Sequence, residues 1–220
     1  MNVTFQDVRN SPEIRTYIIQ ADTSLIALGY TEHAFAHVGK CADVAAHILK
    51  VLGYDDREVE LARIAAFMHD IGNVINRVDH AQSGAVMAFR ILDKMGMDPE
   101  DIAPVITAIG KHDEHTAYPV NAISAALILA DKCDVRRSRV RNRATVSFDI
   151  HDRVNYAAEH SDLKLDTAAK TITLELSINT EISSIMDYFE IFMSRMILCK
   201  KAAGFFDLTF RMNINGSAVL

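Results

Sequence analysis

The sequence predicts a mainly α-helical protein with a small β-α-β unit at its C-terminal end. Apolar residues recur at helical spacing through about residue 160, between capping residues and short connections. Two later stretches, KTITLELSI and FFDLTFRMNI, alternate apolar and polar residues as strands with one buried face do. We therefore expect an all-helical domain over residues 1–160 and a β-α-β appendage over residues 161–220.

Six helices are expected in the first domain, and several have a recognisable start or stop. Ser11 caps the first, Pro12 occupies its first position, and Gly29 follows its end. Asp55 or Asp56 caps the third helix, whose apolar run ends in FMHD. The expected spans are about 12–28, 31–52, 56–70, 79–96, 98–113 and 122–139.

The tail is predicted as a strand over residues 170–178, a helix over about 182–203 and a second strand over about 206–212. The segment between the strands places apolar residues at helical spacing, and Gly204 ends it. Two strands and one helix bury too little apolar surface to fold alone. We therefore expect the tail to pack on the helical domain or on a second copy of the chain. If it packs on a second copy, the protein is a homodimer.

Composition excludes several classes of protein. A net charge of −6 argues against general nucleic-acid binding. The longest apolar run, AISAALILA, is too short to span a bilayer, and MNVTFQDVRNSPE contains no apolar signal core. The three cysteines are scattered and match no metal-binding spacing. We expect reduced thiols, a cytoplasmic location and no membrane partner.

Imidazoles and carboxylates recur on or beside the apolar faces of consecutive helices, where an unpaired carboxylate would be costly. The positions are His37, His69, Asp70, His80, His112 and Asp131. One or two bound metal ions would satisfy all of them together. Taken singly, His37 or His80 is more often an ordinary hydrogen-bonded core histidine, and Asp131 could instead pair with a neighbouring cation.

The ordered set resembles the HD-domain superfamily of metal-dependent phosphohydrolases. The matching stretches, within about residues 30–140, are AFAHVGKCA, AAFMHDIGN, DHAQSGAVMA, VITAIGKHDEH and ALILADKCD. The resemblance implies an HD-domain helical bundle with two divalent metal ions. By that resemblance the ligands of one ion would be His37, His69, Asp70 and Asp131, and those of the other would be Asp70, His80 and His112.

Two branches of the superfamily share features with this chain. HDEHTAYP keeps a Tyr-Pro, as in the HD-GYP cyclic-dinucleotide phosphodiesterases, but has Asp113 where that branch has a second histidine. The stretches AIGKHDEH and SAALILADKCDVRRSR are more similar to the small hydrolases of dinucleoside polyphosphates and other nucleotides. The resemblance therefore implies a nucleotide or another phosphoester as the substrate.

The mixed imidazole and carboxylate ligands suit Mn, Fe, Zn, Co or Ni better than Mg or Ca. By the resemblance, Asp70 bridges the two ions and is a catalytic residue. Lys111 and His115 flank His112 and are candidates to supply a proton or positive charge to the leaving oxygen. His115 could instead be a ligand, and both could be ordinary exposed residues at a helix end.

The segment RRSRVRNR follows Asp131 closely and contains five arginines. Arginine binds phosphate with two parallel hydrogen bonds, so Arg136 and Arg137 are the candidates to bind the remaining phosphates of a substrate. The alternative is a solvated helix end whose cations interact favourably with the helix dipole.

The leading hypothesis is thus a metal-dependent nucleotide phosphohydrolase. The second is an HD-type regulatory module that binds a nucleotide or a partner without hydrolysis.

Overall fold

The computed structural model describes residues 3–114, 116–141 and 149–220. In these residues the chain is mainly helical and ends in a four-stranded sheet, which confirms the predicted fold class. The helices are α1 (Phe5–Asn10), α2 (Pro12–Ala27), α3 (Phe35–Val51), α4 (Asp56–Met68), α5 (His80–Lys94), α6 (Pro99–Gly110), α7 (Ala122–Lys132), α8 (Ile150–Ala157) and α9 (Ile185–Phe205). The strands are β1 (Ala158–Asp166), β2 (Thr171–Ile178), β3 (Thr209–Ile214) and β4 (Ser217–Ala218).

Helix α4 lies at the centre of the helical domain and packs against α3, α6 and α7. Its last turn is entirely buried, from Ile64 to Met68, and leads directly into the His69-Asp70 pair. The apolar run therefore supports two polar side chains in the interior of the protein. No helix in the described ranges is both long and apolar enough to cross a membrane.

A short 3-10 turn, Ile71–Val74, follows this pair and packs closely against α5. Gly72 has no room for a side chain, since a Cβ atom there would lie 2.0 Å from the carbonyl oxygen of His80. It would also lie 2.5 Å from the backbone nitrogen of Gly84 on α5. The missing side chain at Gly72 thus lets the start of α5 approach the end of α4.

The predicted β-α-β unit is present as β2, α9 and β3, with β2 and β3 parallel and Leu174 opposite Met212. Strand β1, which was not predicted, pairs antiparallel with the other edge of β2. Its sequence AEHSDLKLD is mostly polar because the strand lies at the sheet edge, so the alternation of apolar residues is weak.

The tail packs on the helical domain through α9, which lies against α7. The Sγ atoms of Cys133 and Cys199 are 3.7 Å apart in this contact, and Arg195 pairs with Glu114 at 2.7 Å. All three cysteines are free and buried. The division at residue 160 stays a prediction, and β1 runs across that position.

The starts of α2, α4 and α6 are as predicted, with Ser11, Asp55 and Asp98 as their caps. The predicted second helix starts too early, because α3 begins at Phe35. The predicted ends of α6 and α7 are too late, since these helices stop at Gly110 and Lys132. After α7 the chain turns so that long-range contacts bury Asp134 and Arg139, and these contacts override the local helical preference. Helices α1 and α8 were not predicted.

Candidate metal centre

The six predicted ligands lie at or near helix ends and meet in one buried cluster. His37 is in the first turn of α3, His80 is the first residue of α5, and Asp131 is in the last turn of α7. His69-Asp70 and His112 follow the ends of α4 and α6. The four histidines are at most 2% exposed and Asp70 is 5% exposed.

Each of the four imidazoles is held by its Nδ1 atom. Because backbone carbonyls and carboxylates only accept hydrogen bonds, every Nδ1 carries a proton, and Nε2 is the nitrogen of each ring that can bind a metal ion. The acceptors are Asp134 Oδ2 for His37, at 2.8 Å, and the carbonyl oxygens of Ala66 for His69, Arg77 for His80 and Ile109 for His112, at 2.7, 3.0 and 2.6 Å. This is the arrangement that orients histidines as metal ligands.

The four Nε2 atoms point at two carboxylates and divide into two groups. In the first half-site, Nε2 of His37 lies 3.3 Å from Asp131 Oδ1 and 3.8 Å from Asp70 Oδ2. Nε2 of His69 lies 3.2 Å from Asp70 Oδ2 and 3.7 Å from Asp131 Oδ1. The first half-site is therefore formed by His37, His69, Asp131 Oδ1 and Asp70 Oδ2.

The second half-site is formed by Asp70 Oδ1, His80 and His112. Oδ1 lies 3.5 Å from His80 Nε2 and 3.9 Å from His112 Nε2. The two Nε2 atoms are 3.1 Å apart. Since both Nδ1 atoms carry protons, this contact opposes two lone pairs, which is unfavourable without a cation. Two imidazole nitrogens bound to one tetrahedral ion at about 2 Å would lie about 3.3 Å apart.

Unsatisfied buried atoms also fit a bound cation. Within the described residues, His69 Nε2 and Asp70 Oδ2 are buried without a hydrogen-bond partner. Such atoms are costly unless another group satisfies them. Donor triads with metal-binding spacing include His37-His69-Asp70, His69-His112-Asp131 and Asp70-His80-His112. The donor set and its geometry therefore fit divalent metal ions.

The charges of the cluster favour an anionic Asp70 beside neutral rings at His80 and His112. Burial alone would raise the pKa of Asp70, but the adjacent His69 lowers it well below its ordinary value. Burial lowers the pKa of both His80 and His112, so these rings are neutral at pH 7. For His69, burial is outweighed by the neighbouring Asp70 carboxylate, and the pKa is raised. A metal ion at His69 Nε2 would compete with a proton for that atom.

Asp134 and Asn73, which contact the cluster, were missed by the sequence analysis, whereas Lys132 is the neighbouring cation expected as an alternative partner of Asp131. Asp134 is buried behind His37, where Lys40 Nζ at 3.0 Å and Arg136 Nε at 2.9 Å bind its Oδ1. Asn73 donates a hydrogen bond of 3.0 Å to Asp70 Oδ1. Lys132 lies 2.7 Å from Asp131 Oδ2. The position of Asp134, three residues after Asp131, was a local sign that it could lie near the cluster. Its contact with His37 could not be predicted locally, because these residues are 97 positions apart.

The other predicted site residues have different surroundings. Lys111 is half-buried directly before His112, at the end of α6. His115 lies outside the described residues. Arg136 reaches the cluster indirectly, through Asp134. Arg137 donates hydrogen bonds to the Tyr156 carbonyl and to Glu159, so it faces α8 and β1.

Replacing Asp134 with Asn should weaken metal binding by about 10–100-fold, as the loss of such an orienting partner does. The amide can turn its oxygen to His37 Nδ1, but it loses the negative charge that strengthens this hydrogen bond. Asp43→Asn is the control, because Asp43 is an exposed aspartate on α3, the helix that carries His37. Competition with a chromogenic chelator measures the affinity. Equal affinities for Asp134→Asn and the native protein would show that Asp134 does not support the ligand.

Comparison with known proteins identifies the family that this chain matches. The family model described as HD domain matches residues 34–190. The crystal structure of a predicted HD superfamily hydrolase from an uncultured Thermotogales bacterium is similar at 30% sequence identity. That similarity covers 56% of this chain and 67% of the other, with a TM-score of 0.45. A search of curated proteins found no match.

Proposed function

Because the chain belongs to the HD-domain family, we propose that it is a metal-dependent phosphohydrolase acting on a phosphoester or phosphoanhydride bond of a nucleotide. The observation that supports this most is the division of the Asp70 carboxylate. Its Oδ2 atom faces the first half-site and its Oδ1 atom faces the second. A carboxylate shared in this way would suit one ion at each half-site, as in dinuclear phosphatases.

The proposed ligands are those of the two half-sites, and the proposed ions are two from Mn, Fe, Zn, Co or Ni. Bound ions of this kind supply Lewis acids that neutralise phosphoryl oxygens and lower the pKa of water. Asp70, which belongs to both half-sites, is the proposed catalytic carboxylate.

The protein's own contribution is to hold the donors in place before substrate binds. The Nδ1–H bonds keep all four Nε2 atoms directed at the centre. Lys132 binds Asp131 Oδ2, so that Oδ1 is left to face His37. Asn73 fixes the rotation of the Asp70 carboxylate. Burial excludes bulk water from these contacts and strengthens them.

Two further roles are proposed for residues outside the cluster. Lys111 and His115 are proposed to supply a proton or positive charge to the leaving oxygen. Arg136 and Arg137 are proposed to bind the remaining phosphates of a nucleotide. In support, they line a cavity of 460 Å³ together with Lys40 and His160. Arg136 and Lys40 both bind Asp134, which accepts the Nδ1–H bond of His37.

A phosphate-release screen tests the proposed activity. The protein should be loaded separately with Mn, Fe, Zn, Co and Ni and offered nucleoside mono-, di- and triphosphates, dinucleoside polyphosphates and simple phosphate monoesters. We expect release from at least one nucleotide. Metal and nucleotide binding without phosphate release from any of them would favour the regulatory module instead.

Replacing His80 with Ala should remove one ion of two and leave the other. His80 contributes only to the second half-site, whereas the first keeps all its donors. Turnover should fall steeply, because the substrate loses one of its two Lewis acids. Elemental analysis gives the metal content per chain, and His47→Ala is the control because His47 is exposed on α3. Two ions and normal turnover in His80→Ala would exclude His80 as a ligand.

A further inference from the structure

Arg77 lies in the short segment that connects the 3-10 turn Ile71–Val74 to α5. It contacts both nitrogen atoms of the His80 ring. Its carbonyl oxygen accepts the Nδ1–H bond of that ring. Its guanidinium bends back, and Nη1 lies 3.3 Å from His80 Nε2 and 3.3 Å from Asn73 Oδ1. The cation is thus at the edge of the second half-site.

The surroundings of this half-buried guanidinium differ from those of the other arginines near the cluster. Arg136 and Arg139 pair with Asp134, and Arg141 pairs with Asp22. Among the described residues, no carboxylate oxygen lies within 4.0 Å of the Arg77 guanidinium. Its hydrogen-bond acceptors there are an amide oxygen and an imidazole nitrogen, both neutral.

One of these two acceptors is a proposed ligand atom. When the lone pair of His80 Nε2 binds an ion, it can no longer accept a hydrogen bond from Arg77. The guanidinium then has donors without acceptors at the edge of a cationic centre, where an anion is the favourable partner. The Tyr30 ring, 5.5 Å from the guanidinium carbon and 43% exposed, holds the cation near the surface by a cation–π contact.

We propose that Arg77 binds the oxygens of the substrate's phosphoryl group at the second half-site. This inference rests on the proposed function and adds to it a residue that contacts the substrate. A guanidinium presents two parallel N–H donors, which match two phosphoryl oxygens better than a lysine ammonium does. Arg77 would therefore recognise the transferred phosphate, whereas Arg136 contacts Asp134, which binds the Nδ1 atom of His37 and not its Nε2 atom.

Calorimetric titration with inorganic phosphate tests this on the metal-loaded protein. We expect Arg77→Gln to bind phosphate at least about tenfold more weakly, as the loss of a charged hydrogen bond implies. The phosphate affinity of Arg77→Lys should lie between those of Arg77→Gln and the native protein, because lysine keeps the positive charge but lacks the two parallel N–H donors. Arg90→Gln removes the same charge from an exposed position on α5 and should bind phosphate normally. Metal content should be unchanged in all three.

The outcomes separate this inference from the proposed function. Native phosphate affinity in Arg77→Gln would overturn it, as would a loss of metal that accounts for the weaker binding. With a hydrolysed substrate, we also expect a raised KM in Arg77→Gln. If no substrate is hydrolysed and phosphate binding still depends on Arg77, the hydrolase proposal fails and the phosphate site stands. If hydrolysis proceeds with unchanged KM and phosphate affinity in Arg77→Gln, only the role of Arg77 fails.

Discussion

Replacing Asp70 with Ala should remove most of the bound metal and all hydrolysis. Asp70 is the one residue of the cluster with an oxygen directed at each half-site, so its loss affects both half-sites at once. It also leaves the neutral Nε2 atoms of His80 and His112 3.1 Å apart with no anion to hold a cation between them. The effect should therefore exceed that of His80→Ala, which affects one half-site.

Elemental analysis and phosphate release, measured side by side, decide this prediction. Asp70→Asn refines it, because the amide keeps the size of the side chain and an oxygen donor but loses the charge. Asp93→Ala is the matched control, since Asp93 is an exposed aspartate on α5. If Asp70→Ala keeps two ions per chain and its activity, the shared carboxylate is not Asp70 and the two half-sites are wrongly assigned.

Replacing Gly72 with Ala should destabilise the protein by about 3 kcal/mol, at the upper end of what overpacking costs. The added methyl group would meet the His80 carbonyl and the Gly84 nitrogen, and neither backbone atom can move without shifting α5. Because α5 begins with His80, the shift should also separate His80 from His112 and weaken the second half-site.

Gly39→Ala is the matched control for this substitution. Gly39 lies within α3, and a Cβ atom there would have no neighbour within 4 Å among the described residues. Alanine is favoured over glycine in a helix by about 1 kcal/mol, so Gly39→Ala should be neutral or stabilising. Chemical denaturation of the chelated proteins measures stability without the contribution of bound metal. Equal stability of Gly72→Ala and the native protein would mean that α5 accommodates the methyl group.

The helix starts could be predicted from the sequence because capping is a local interaction. Ser11 accepts a hydrogen bond from Ile14, and Asp55 accepts one from Glu58, each three residues away. Helix ends were less predictable, because α7 stops where the distant residues His37 and Lys40 bind Asp134. Strand β1 gave a weak signal, since an edge strand needs few apolar residues.

The sequence alone determined which residue types can serve the centre and which helix carries each. Periodicity and capping locate the helices. The resemblance to the HD-domain superfamily indicates which imidazoles and carboxylates on them are candidate ligands. The tertiary structure decided which oxygen of Asp70 faces which half-site, and that Asp134 and Arg77 belong to the surroundings of the centre. The physical reason is distance along the chain. The Asp134–His37 bond joins residues 97 positions apart and the His80–His112 contact spans 32, so these pairings exist only once the helices have packed.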